Sequence, residues 1–386
     1  MFFTNDLVLG GAERQSLILA RYLRKNFNSR VEFWGFLSTQ NELLHILEEE
    51  DIPYRIFKDP LLSGIFKKIF LYIRLIFKIR HLKPDVILSF VYNSKINGGL
   101  VWRFTRVKLF VWNQRVEPSY YNKNDGVGEL SGTFSEKLAV RFTKVFASNS
   151  DHSAELLSEY FKLPKESIIV IPNAIEIKDT FSQEEDRLRF GLDKNAFIVG
   201  MVANYTLYKD HRTAVLAWKI VLDKLKDNDN NIVLVFSGVP RNKYPGSPGN
   251  TFENTKALLY DLGISDKNAL VLDYNKEVFN LINTFNVGLL CSVSEGCPNS
   301  LLECMACGLP VLGSDIPGIR FAVGEDNYMY LSKPGDPQDL ADKILQFYYN
   351  EQLRVKTGNL NKQRVLKYFN MDRICMQYCD FISQNI

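Results

Sequence analysis

Residues 285–291 read FNVGLLC and residues 295–310 read EGCPNSLLECMACGLP, and between them these stretches decide the fold. The first is a short apolar run, the length of one buried strand. SEGCP follows as a loop, because its Gly and Pro break regular structure. The spacing of Leu301, Leu302, Met305 and Ala306 predicts a helix, with Asn299 or Ser300 as its cap and Gly308 as its stop. Glu295 then lies in a strand-to-helix loop, and Glu303 lies one turn into the helix. Between them stand the N–H groups of a helix N-terminus, a favoured place for an anion. Carboxylates on either side of an anion hole suit a nucleotide-sugar. Glu295 would take sugar hydroxyls, Glu303 ribose hydroxyls, and the amides near Pro298, Asn299, Ser300 and Leu301 the diphosphate.

The rest of the chain repeats this strand-loop-helix pattern. Apolar runs fall at residues 1–4, 31–37, 86–90, 108–112, 144–147 and 168–171, with helical periodicity at 13–25 and 129–142. A second series starts at 197–202 and continues at 232–236, 269–272, 287–291 and 311–313. Alternation of this kind argues for α/β architecture with parallel sheets, here two doubly wound domains. The polar stretch IPNAIEIKDTFSQEEDR (171–187) separates them. The expected domains are residues 1–176, completed by a last helix near 371–386, and residues 177–370. The first strand is short, which suggests a start farther upstream.

At 386 residues the chain is long enough for two cores. Its net charge of +3 gives no argument for nucleic acid as a partner. The 27 Phe and 18 Tyr are read as core and substrate-cleft material. The six Cys include a C-x-x-C at Cys304 and Cys307, but no His or second pair stands near to complete a metal site. Buried reduced thiols fit a reducing cytosol. MFFTNDLVLGG lacks the basic start and apolar core of a signal peptide, and no run of about 18 apolar residues could span a bilayer. A cytoplasmic protein is expected.

The string from Glu295 to Pro310 resembles the donor-site motif of the retaining glycosyltransferases of family 4 (group 1), which have the GT-B fold. The resemblance extends over most of the chain. It implies two Rossmann-like domains facing across a cleft, a first domain that binds the acceptor and a second that binds a nucleotide-sugar. Leu9-Gly10-Gly11-Ala12-Glu13-Arg14-Gln15 opens a helix and resembles the glycine loop of the first domain, with Gly11 near the diphosphate; taken alone it is equally a turn. Val202 to His211 follows the first strand of the second domain. The family places an Arg and then a Lys there, both on the diphosphate. Here the Lys is Lys209, and Asn204 stands at the Arg position, so Arg115 or Arg320 is expected to share the charge. Asp210 and His211 are read as helix caps. Tyr274, in Leu272-Asp273-Tyr274-Asn275-Lys276, would border the nucleobase or be a surface aromatic. The loop Ser314 to Arg320 also resembles the family, although Phe321 replaces its usual Glu.

In the first domain the family often carries a His beyond a central strand. The matching stretch, Val111 to Glu117, has none, and Asn113, Arg115 and Glu117 are the polar candidates for sugar or phosphate. Residues 61–83 hold six Lys or Arg and no Asp or Glu, with apolar residues at 65, 66, 69, 70, 73, 76 and 77. This is either a packed helix with a solvated basic face or a helix lying on an anionic membrane. Asp227-Asn228-Asp229 imitates a metal motif but sits in a polar turn, so no metal is expected.

The expected activity is metal-independent, retaining hexosyl transfer from a nucleotide diphosphate sugar, uridine before guanosine, to a glycan or lipid-linked acceptor. Glu295 and Lys209 would be the catalytic pair, with no cofactor beyond the donor, in cell-surface polysaccharide synthesis at the inner face of the membrane. A covalent mechanism would need carboxylates about 5 Å apart around the bond; positioning and fixed charge are expected instead. A nucleotide-sugar epimerase of the same fold and a non-catalytic subunit remain as alternatives.

Overall fold

The structure, a computed structural model, describes residues 1–4, 10–36, 42–57, 64–115, 133–177, 182–225, 231–240, 251–273 and 277–386; for residues 64–68 it describes the backbone only. The chain divides into two units. One runs to Ala174 and takes up Met371–Ile386 again; the other includes Ile175–Asn370.

The first unit is built on a seven-stranded parallel sheet. Its strands are β1 (Phe2–Phe3), β2 (Phe33–Gly35), β3 (Tyr54–Ile56), β4 (Val86–Ser89), β5 (Leu109–Gln114), β6 (Val145–Ser148) and β7 (Ile168–Val170), in the order β3-β2-β1-β4-β5-β6-β7. Successive side chains of a strand face opposite ways, and a parallel sheet is covered on both faces. Phe2, Phe33, Leu109 and Val111 accordingly enter one core, together with Leu17, Leu19, Ile374 and Tyr378. Phe3, Trp34, Phe110 and Trp112 enter the other, with Leu75, Ile79 and Leu157. Much of the aromatic content is spent here. Strand β3 was not expected: three residues with only partial burial carry too little apolar signal to be read as a strand.

The second unit has a six-stranded parallel sheet, with β8 (Phe197–Val202), β9 (Ile232–Ser237), β10 (Ala269–Leu272), β11 (Val287–Leu290), β12 (Val311–Ser314) and β13 (Leu331–Ser332). Their order is β10-β9-β8-β11-β12-β13. Val287 pairs with Val199 and Gly288 with Gly200, so β8 and β11 are direct neighbours. The two-residue edge strand β13 was likewise invisible in the sequence. The last helix, Met371–Asn385, turns Ile374, Cys375, Tyr378 and Phe381 into the core of the first unit. Burial of such side chains is worth about 1.5–3 kcal/mol each.

Candidate active site

In the second sheet the strand order reverses between β8 and β11. At such a point the loops leaving neighbouring strands diverge, and ligands of parallel sheets bind there. The loop after β8 carries Lys209, in the short 3-10 turn Leu207–Lys209. The loop after β11 carries Glu295. The two side chains meet: Lys209 Nζ donates to Glu295 Oε1, with 15% and 10% of their side-chain surfaces exposed. The Tyr208 carbonyl ties the same loops by accepting from the Val293 N–H at 2.9 Å and the Ser292 hydroxyl at 2.9 Å.

Glu295 is also approached closely by the first turn of the helix Pro317–Val323. A Cβ added at Gly318 would lie 1.9 Å from the Glu295 carbonyl oxygen, so only glycine permits this approach. Neither Gly318 nor Ser292 was singled out from the sequence. Gly318 was read only as part of the family-like loop Ser314 to Arg320, and a backbone contact across 23 positions leaves no local trace.

Beyond Glu295 runs the helix Asn299–Ala306. Its N-cap is Pro298, in extended backbone at φ −75° and ψ 113°, which corrects the expectation that Asn299 or Ser300 would cap it. Proline suits the helix start because its φ is already set and its missing N–H loses no helical bond there. The first intrahelical bond joins the Leu302 N–H to the Pro298 carbonyl at 3.2 Å. Ser300 and Leu301 therefore lie in the first turn, where the helix itself offers their N–H groups no acceptor. Glu303 follows one turn on and is 6% exposed. Gly308, at φ 76°, ends the helix in the left-handed region. Glu295, Lys209, Glu303 and this helix start thus belong to one end of one sheet.

Asn204, expected at the diphosphate, is anchored to the neighbouring loop through its side-chain oxygen. Its Oδ1 accepts from the Val239 N–H at 3.3 Å, which ties the loops after β8 and β9 and commits the oxygen to the backbone. Asp210 is the N-cap of the helix His211–Lys224, accepting from the Thr213 N–H at 3.2 Å. His211 is not a cap: it is 1% exposed between the rings of Tyr205 and Phe236, 4.7 and 5.4 Å away. Burial foremost, then the Lys209 charge, lowers its imidazole to about 3. The Tyr205 hydroxyl donates to the Leu272 carbonyl at 2.9 Å, at the end of strand β10. Tyr274 itself lies outside the described residues, as do Glu117 and Asp227-Asn228-Asp229.

The two arginines expected to share the diphosphate charge each have partners within their own unit. Arg320 grips Asp315 through Nε and, at 2.6 Å, through Nη2, and holds that carboxyl below its usual range. Arg115 is buried in the first unit, where Nη1 donates to Asn173 Oδ1 at 2.8 Å and Nη2 to the Tyr378 hydroxyl. Asn113 shares that hydroxyl, accepting from it at 2.8 Å. Gly11 is the first residue of the helix Gly11–Phe27, with Gly10 before it and a buried Glu13 in the first turn. All six cysteines are free thiols; burial pushes Cys307 and Cys375 up to about 12, which leaves them protonated and unreactive.

A model of the glycosyl transferases group 1 matches residues 182–364, and one of glycosyltransferase family 4 matches residues 9–179. The N-acetyl-alpha-D-glucosaminyl L-malate synthase of Bacillus anthracis is 26% identical over 58% of this chain and 56% of its own length. The N,N'-diacetylbacillosaminyl-diphospho-undecaprenol alpha-1,3-N-acetylgalactosaminyltransferase of Campylobacter jejuni is 25% identical over 60% of this chain and 58% of its own. The chain thus spans less than two thirds of the length of the curated relatives it matches. Among solved structures, Anabaena HepE in complex with UDP-glucose superposes with a TM-score of 0.83 at 18% identity, covering 99% of this chain and 98% of that one. This likeness establishes the fold, two parallel-sheet units of the GT-B class. Taken together, the paired family models and the fold place the chain in glycosyltransferase family 4, the group 1 glycosyl transferases.

Proposed function

We propose that the chain is a retaining, metal-independent hexosyltransferase that takes its sugar from a uridine diphosphate sugar. The observation that carries this reading is the Lys209–Glu295 ion pair beside the start of the helix Asn299–Ala306. The pair keeps a cation and an anion poised within one small site. When the donor enters, Lys209 turns to the diphosphate, and Glu295, released from it, accepts hydrogen bonds from the sugar hydroxyls. The amides of Asn299, Ser300 and Leu301, with Pro298 setting their direction, share the phosphate charge. Glu303 accepts from the ribose hydroxyls. Fixed charge at the leaving diphosphate lowers the barrier without reorganisation at the moment of reaction. Lys209 and the amides supply that charge, so the reaction we propose calls on neither metal nor cofactor. The leaving phosphate takes the proton of the acceptor hydroxyl.

The acceptor we propose is a glycan or a lipid-linked sugar, in cell-surface polysaccharide synthesis at the inner face of the cell membrane. The lipid diphosphate in the name of the Campylobacter relative supports it, and UDP-glucose in the Anabaena complex supports the uridine donor. The helix Gly64–Leu82 supports a membrane-facing enzyme. Leu75 and Ile79 face the core, while Ile69, Phe70, Ile73 and Phe77 are 47–65% exposed on the opposite side, flanked by Arg74 and Arg80. Arg80 Nε donates to the carbonyl of Phe104, itself 54% exposed, which extends the apolar stripe toward Arg103 and Arg106. Among the described residues no helix is long and apolar enough to cross a membrane, so the contact we propose is with the surface.

Thermal-shift measurements against uridine and guanosine diphosphate sugars test the donor. Stabilisation by a uridine donor, followed by sugar transfer to a lipid-linked acceptor, is the expected result. Stabilisation without any transfer would favour an inert relative, and a donor-only incubation that yields an isomer would favour an epimerase.

A further inference from the structure

The first unit buries a guanidinium that no acidic side chain among the described residues neutralises. Arg115 directly follows β5, at the carboxyl end of an interior strand, and is 9% exposed. Its hydrogen-bond partners are the neutral Asn173 and Tyr378, and its guanidinium carbon lies over the rings of Phe90 and Tyr378, 5.1 and 5.8 Å from their centroids. Among the described residues it touches no carboxylate, and its Nε has no hydrogen-bond partner. Asn113, two residues earlier and fully buried, accepts from the Tyr378 hydroxyl through Oδ1 while its Nδ2 also lacks a partner. One acceptor nearby is unclaimed too: Asn149 Oδ1, whose amide donates to the Arg115 carbonyl at 3.2 Å.

A buried charge is retained at a cost unless something pairs with it. Here the described residues supply ring faces, neutral partners and two unused donors, but no anion. The position is also the one where parallel sheets bind ligands, beyond the strand carboxyl ends. A guanidinium fork with an adjacent amide matches the planar or tetrahedral oxygens of an oxyanion better than a neutral sugar. We propose that Arg115 and Asn113 form an oxyanion subsite that holds a phosphate or carboxylate group of the acceptor. This inference rests on the glycosyl-transfer reading for the word acceptor, and on the geometry alone for the anion.

Calorimetric titration of the full chain with sodium phosphate or sodium acetate, in the presence of UDP and at constant ionic strength, tests it. One anion is expected to bind one to one; phosphate identifies a phosphate-bearing acceptor and acetate a carboxylate-bearing one. Arg115→Met should weaken that binding about tenfold or more, and Arg115→Lys less, since it keeps the charge and loses the fork. Asn113→Asp supplies the missing counter-charge from within. It should abolish anion binding while leaving the melting temperature unchanged or higher, so a folding defect cannot be mistaken for success. No binding of either anion, or binding that survives Arg115→Met or Asn113→Asp, overturns the proposal. So does a crystal soaked in phosphate that shows only water at Arg115 Nε and Asn113 Nδ2. UDP affinity, measured in the same series, judges the donor site separately: its absence in the wild type would sink the proposed function, and its loss in Arg115→Met would assign Arg115 to the donor instead.

Discussion

Lys209 and Glu295 stand 86 positions apart in the chain and form an ion pair, because the strands that precede them are neighbours in the sheet. The pair couples donor phosphate to donor sugar through one contact. Glu295→Gln keeps the size and removes the charge that should accept the sugar hydroxyls. We expect turnover to fall on the order of 100-fold while UDP affinity stays within about twofold. Lys209→Met should lower both, and should also cost about 2 kcal/mol of stability by leaving Glu295 without its cation. Steady-state kinetics beside UDP calorimetry would reject the assignment if Glu295→Gln turned over like the wild type.

Glu303 sits one helical turn beyond the anion hole and is almost fully buried. Its proposed partner is the ribose. Glu303→Gln should weaken UDP binding about tenfold, equal to about 1.4 kcal/mol, and weaken free pyrophosphate binding little. Equal losses for UDP and pyrophosphate would remove the ribose from its role.

Gly318 meets the Glu295 carbonyl where a Cβ would lie 1.9 Å away. Gly318→Ala must push the helix start Pro317–Val323 away from the Glu295 loop. The expected outcome is a loss of about 1–3 kcal/mol in chemical denaturation and a fall in turnover, although alanine normally strengthens a helix. A variant that gained stability and kept full activity would show that the loop contact is not needed.

His211 is neutral in the folded state and held to about 3 by burial and by Lys209. Its unfolded value is about 6.5. The unfolded chain therefore binds the extra proton first, so stability is full above about pH 6.5 and is lost as pH falls through the window down to about 3. Between pH 7 and pH 5 this one group should cost about 2 kcal/mol. His211→Phe should remove that share of the acid sensitivity; parallel pH slopes for variant and wild type in urea titrations would disprove it.

Ile73 and Phe77 are exposed on the basic helix Gly64–Leu82. Ile73→Ser with Phe77→Ser should reduce co-sedimentation with phosphatidylglycerol vesicles at least about tenfold, from lost apolar burial. Raising salt should weaken what remains, since the flanking cations act through screened charge. Binding that ignores both changes would leave the stripe without a membrane role.

Much of this site was legible as local pattern. The apolar run before Glu295, the loop breakers and the periodicity of Leu301 to Ala306 each act within a few residues, so the strand, the loop and the helix could be read in order. Strands β3 and β13 were not legible, because two or three edge residues carry no periodicity. The cap assigned to Asn299 or Ser300 failed for a related reason: good capping residues also serve inside a first turn, and Pro298 took the place. Asn204 was matched to a phosphate role by position along the chain; that its Oδ1 also accepts from the Val239 N–H in the next loop left no local trace.

By itself the sequence determined which elements form, in what order, and which loop carries two glutamates around a helix start, since those features follow from the spacing of neighbouring residues. Only the tertiary structure decided that Lys209 reaches Glu295, that Gly318 must be glycine, and that Arg115 lies buried among neutral partners. Each depends on which strands lie side by side and which loops their ends bring together, and that order is set by covering both faces of a whole sheet at once.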